Sequence, residues 1–198
     1  MKFRNLIFVL MIAFSAIFLG MLGTSYAYYV ATGGTTLNIN TGFFDAGVAV
    51  VFDQSQYINV NTGIPIEDEM VDALADKSVF TLKPNNTILT GYNVAINVSI
   101  IDISIDEALR IEEFKYKFSC SDGTTAIDLS TGTGLNFTDE IISRGLSLGT
   151  LSTSNESFNI NKNYTCTLRI WLEETGENQN DLMNKKFRGL IKVNTLFK

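Results

Sequence analysis

Two cysteines, 21 carboxylates and no histidine make up the reactive side chains that this chain of 198 residues offers. Without histidine there is no Ser-His or Cys-His pair for nucleophilic catalysis and no histidine-based metalloprotease helix. Zinc needs three or four ligands, which two cysteines without imidazole do not supply, so no metal and no cofactor are expected. Carboxylate pairs remain. Glu67, Asp68 and Glu69, or Asp102 and Asp106, have the residue type that a glycosidase needs at a set separation. Consecutive acids at a helix start more commonly face the positive end of the helix dipole from a solvated surface, and that reading is adopted. No catalytic residue is assigned and no enzyme is expected. Asp122-Gly123 and Asn180-Asp181 lack the repeated oxygen ligands of a calcium loop and read as turns.

Cys120 and Cys166 are the candidate covalent link. Both lie in the apolar phase of strand-like segments, so both thiols should enter one core. In an oxidising exterior they pair if their strands are neighbours or face each other across a sandwich; otherwise they remain two buried thiols acting as small apolar residues. Asn-x-Ser/Thr triplets begin at Asn85, Asn97, Asn136, Asn155 and Asn163, which a chain rich in Asn, Ser and Thr produces by chance. Trp171 falls in the outward phase of its strand with Arg169. It is either a binding aromatic or a ring covered by a neighbouring element.

The exterior is indicated by the first residues. Lys2 and Arg4 precede residues 6–27, which carry no charge, and Ser25 and Ala27 put small side chains three places and one place before the Ala27/Tyr28 bond. That is the pattern of a signal segment cut by signal peptidase at Tyr28, and it gives the chain its one membrane contact, before cleavage. An uncleaved anchor is the alternative, because the apolar run approaches the roughly 18 to 20 residues that span a bilayer. Removing Lys2 and Arg4 leaves 13 basic against 21 acidic residues, a net charge of −8 in place of −6. Nucleic acid is therefore not an expected partner, since it calls for clustered Lys and Arg.

Residues 28–198 read as one β domain. Residues 35–41 alternate Leu37 and Ile39 with asparagines, and 42–53 and 56–60 are rich in β-branched and aromatic residues. Residues 65–76 break the pattern: Pro65, acids, then Met70, Val71 and Leu74 fit a short helix. Strand signals resume at 78–82, at 91–103 with Tyr92, Val94, Ile96, Val98 and Ile100 on one face, and at 114–120. The span from 121 to 161 holds short edge strands and loops, and 163–173 and 185–197 are final strands. The expectation is a single jelly-roll or Ig-like β-sandwich of about eight or nine strands with one short helix, preceded by the signal helix.

Three stretches resemble the exported fibre and biofilm-matrix family of Gram-positive bacteria that includes TasA and camelysin. They are Gly23-Thr24-Ser25-Tyr26-Ala27-Tyr28-Tyr29 with Leu37-Asn38-Ile39-Asn40-Thr41-Gly42; Phe80-Thr81-Leu82 through Asn86 and on to residues 92–97; and Leu168-Arg169-Ile170-Trp171-Leu172 with Phe187-Arg188-Gly189. The resemblance implies a jelly-roll subunit of a surface fibre that self-associates, an N-terminal strand of one subunit completing the sheet of the next. Leu37 and Ile39 would anchor that assembly strand, and Gly33-Gly34 before it would be its hinge. The proteolysis attached to the name camelysin does not carry over to a chain without histidine. The alternative to a self-associating structural protein is a monomeric, surface-displayed module that binds a glycan or a protein.

Overall fold

The computed structural model of the chain describes residues 47–197. The signal-peptidase residues Ser25, Ala27 and Tyr28 and the assembly-strand residues Leu37 and Ile39 lie outside the described residues.

Alternating apolar residues build nine strands: β1 Val48–Phe52, β2 Tyr57–Asn61, β3 Asp76–Pro84, β4 Val94–Ile105, β5 Phe114–Ser121, β6 Ala126–Thr133, β7 Leu146–Ser152, β8 Tyr164–Leu172 and β9 Lys186–Phe197. They form two antiparallel sheets, ordered β1-β3-β8-β5-β6 and β2-β9-β4-β7. Of the two sandwich types expected, this is the jelly-roll order: β2 to β9 interleave as two four-stranded sheets, and β1 is an extra strand beside β3.

Each long strand buries every second residue. Phe114, Tyr116, Phe118 and Cys120 of β5 meet Val94, Ile96, Val98 and Ile100 of β4 and Phe187 and Ile191 of β9 in one core. Phe52, Phe80 and Phe118 run across the five-stranded sheet with ring centroids 5.1 and 6.1 Å apart. Burial of this kind is the main stabilising term, at about 25 cal/mol per Å² of apolar surface.

The short helix is present as a 3-10 turn Asp68–Met70 running into α1, Val71–Leu74. Two further helical turns appear, α2 Asn86–Leu89 and α3 Asp139–Arg144. One expectation is corrected. Tyr92 does not share the inward face of β4: it is 58% exposed, because α2 and Gly91, at φ +90°, carry the chain through a turn and the strand begins only at Val94. Among the described residues no helix is long and apolar enough to cross a membrane.

Candidate functional site

The residues singled out for chemistry do not converge. Asp68 and Glu173 both bind the Lys115 ammonium, Asp68 at 3.3 Å. Burial works against the charge on Lys115, but Glu173 and Asp68 outweigh it and hold its pKa above the usual lysine value. Asp106 accepts the backbone N–H of Lys186 at 2.8 Å, and Asp102 sits at φ +50° where the β4–β9 register shifts. No group of three or more Cys, Asp or Glu among the described residues is placed to hold a metal ion.

Trp171 is covered rather than displayed. Val71 and Ala75 pack on its ring with Ile66 beside them, leaving it 8% exposed. Asp72 pins the same segment to the sheet through an ion pair with Arg169 at 3.1 Å, which lacks the angle of a hydrogen bond. Acids and apolar residues of 66–75 thus serve as a strap over the outer face of the five-stranded sheet.

Cys120 and Cys166 are bonded. They stand directly opposite each other on β5 and β8, with Cα atoms 4.0 Å apart, so the link joins neighbours in one sheet rather than the two layers. Beyond it, the Ser121–Thr125 turn is tied down by Asp122. Lys162, at 2.5 Å, and then the hydroxyl and N–H of Thr124 and the N–H of Thr125 hold the Asp122 carboxyl well below the usual carboxylate range. A depressed carboxyl pKa stabilises the fold above the unfolded value of 3.8, and the contribution is lost as pH falls through the folded value. Asp122→Asn is therefore expected to lower the urea midpoint at pH 7 by a modest amount, since the pair lies at the surface. The difference from the parent should shrink as pH falls below 3.8. A gap that stays constant from neutral to acid pH would contradict this role.

The feature with most capacity for binding is an open sheet edge. β2 pairs with β9 only from Lys186 to Leu190. Gln56 then ends the ladder: its carbonyl accepts the Ile191 N–H at 3.0 Å and its Nε2 donates to the Ile191 carbonyl at 2.9 Å. Alternation turns the N–H and C=O groups of Val193 and Thr195 to that same side, where residues 192–197 have no strand partner among the described residues. β1, edge strand of the other sheet, runs alongside, and Val48, Val50 and Phe52 floor a cleft of about 110 Å³ against Lys192, Val193, Asn194 and Thr195.

On the opposite side of the sandwich the two edge strands approach each other closely. There β6 and β7 are the edges, and Gly149 of β7 approaches Leu129 of β6 so nearly that an added Cβ would lie 3.0 Å from the leucine Cβ. Register shifts at Phe118/Ser119 and Val98/Ser99 also disturb the ladders beside these edges, a common protection against edge pairing. An open edge on one side was not legible in the sequence, because it depends on which strand lies beside β9 and where that strand stops.

No family model and no curated protein matches the sequence. Among solved structures the chain is similar to a xylanase from Cellvibrio japonicus in complex with xylopentaose, at 12% identity and a TM-score of 0.34 over 70% of this chain and 26% of that one. The chain thus spans about a quarter of that structure's length. A likeness of this size carries no argument about activity.

Proposed function

We propose that this chain is an exported structural protein of the cell surface or extracellular matrix whose subunits associate by strand addition. In this reading residues 35–41 of one subunit, anchored by Leu37 and Ile39, pair with residues 192–197 of another. The observation that supports it is the run of β9 from 192 to 197, which among the described residues has no strand partner on the β2 side and lies over a cleft floored by Val48, Val50 and Phe52. The lengths agree: the open run extends about 20 Å at roughly 3.3 Å per residue, which a strand of seven residues covers. The spacing agrees as well. Leu37 and Ile39 are two residues apart, so both side chains fall on one face and can enter the cleft between Val193 and the β1 valines. Main-chain hydrogen bonds supply affinity and the two apolar anchors supply register. A contact between different surfaces of identical subunits propagates into an open fibre wherever its rotation does not close a ring. No catalytic step is assigned to the chain.

Electron microscopy and sedimentation of the purified protein test the reading. The parent is expected to form filaments. Ile39→Asp places a charge without a partner in the cleft at a cost of several kcal/mol, and should give a folded monomer by circular dichroism. A parent that stays monomeric, an Ile39→Asp variant that polymerises like the parent, or one that unfolds because the strand belongs to its own sheet would each overturn strand exchange.

A further inference from the structure

The outer face of the four-stranded sheet carries a row of three cations along one strand. Arg110, Lys115, Lys117, Arg144, Lys162 and Arg169 each face a carboxylate. Lys186, Arg188 and Lys192 are exposed and have no ion-pair partner among the described residues. All three belong to the outward phase of β9, at spacings of roughly 7 and 13 Å along the strand. The strands around them offer little to neutralise them. β2, β7 and β9 contain no Asp or Glu, and β4 contains only Asp102 on its bulge. Asp106, just past β4, is engaged by the Lys186 backbone N–H.

Register surrounds the cations with uncharged hydrogen-bonding groups. Asn194 stands beside Asn97 and then Thr150, and Lys192 beside Ser99 and then Ser147. The Thr150 hydroxyl donates to Asn97 Oδ1 at 2.6 Å, which orients that amide with its N–H groups left to donate elsewhere. β9 pairs with β4 from Phe187 to Phe197 and with β2 from Lys186 to Leu190, so the groups are held in a fixed array and little ordering is needed on binding.

We propose that this face binds an anionic polysaccharide, a sugar polymer bearing carboxylates. The three cations meet the carboxylates, and the amides and hydroxyls of the neighbouring rows meet sugar hydroxyls. Charge complementarity selects an anion. The amide and hydroxyl side chains around the three cations select a sugar polymer over a nucleic acid, whose dense phosphates call for more clustered Lys and Arg than this face carries. Base stacking is also disfavoured, because the Tyr57 ring on this face is covered by the Arg188 guanidinium, 4.5 Å from its centroid.

The full chain titrated with polygalacturonate tests the proposal, with uncharged dextran and double-stranded DNA as comparators. The parent is expected to bind polygalacturonate in preference to both. K186Q, R188Q and K192Q combined should weaken binding roughly tenfold, as loss of three exposed charge contacts implies. K77Q with K83Q, which removes two unpaired cations from the outer face of the other sheet, should change it less than about twofold. Circular dichroism checks that both variants fold. If the triple variant does not, R188Q alone should weaken binding about twofold to threefold. Absence of binding by the parent, an equal loss in the K77Q/K83Q control, or equal affinity for dextran or DNA would overturn the assignment.

Discussion

Replacing Cys120 and Cys166 together by alanine should lower stability by about 4 kcal/mol, the loop-entropy value for a sequence separation of 46. For a domain of this size that is a fall in Tm of roughly 10 °C. The effect resides mainly in the unfolded chain. In the native state β5 and β8 are already paired from Phe114 to Ser121, so the crosslink adds little order there. In the unfolded state it holds together segments that would otherwise separate. Alanine is the right replacement because both positions are buried, and a serine hydroxyl would lack a partner. Unfolding the parent in reducing agent offers an independent check and should bring it down to the level of the alanine pair. Two thiols titrating in denatured, unreduced parent would defeat the prediction.

The same pair shows what strand periodicity can convey. Both cysteines were legible as inward residues because β5 alternates throughout and β8 alternates from Tyr164 to Ile170, each with one face on the core. Whether they met within a sheet or across it was not legible, since that depends on strand order. Periodicity also fails across a turn: Tyr92 is in phase with Val94, yet the backbone reverses between α2 and β4 and the phase does not carry over. The helix Asp139–Arg144 was missed for a different reason. Its six residues are too few to display a helical period, although its signals are present: the Thr138 hydroxyl accepts from the Ile141 N–H, Asp139 and Glu140 occupy the first turn, and Gly145 at φ +97° ends it.

Sites that depend on neighbours were the least legible. The outward phase of Lys186, Arg188 and Lys192 follows from their even positions in β9, but only the topology shows that β2 and β4 flank them and that these strands carry a single acid, Asp102. Trp171 was open to two readings, and the strap above it decides for packing.

Phe137→Ala is expected to cost about 3 to 5 kcal/mol, the range for removing a fully buried phenylalanine, although Phe137 belongs to no strand. It follows the 3-10 turn Gly134–Asn136 and is 0% exposed. Its ring centroid lies 5.1 Å from that of Phe187 on β9 and 5.8 Å from that of Tyr116 on β5, and Phe187 in turn lies 5.7 Å from Phe114. One loop residue therefore joins the aromatic cores of both sheets. Its position is set locally. Asn136 Oδ1 accepts the Thr133 N–H at 2.8 Å, and Gly134 passes so near the Leu109 carbonyl that a Cβ there would collide with it. With the backbone held on both sides, the neighbours cannot collapse into the space that the ring vacates, which places the cost in the upper part of the range. Urea unfolding should show a lowered midpoint with an unchanged slope, and Phe137→Leu should retain part of the loss because it refills some of the volume. A Phe137→Ala loss below about 1 kcal/mol would mean that the two sheets are joined without this ring.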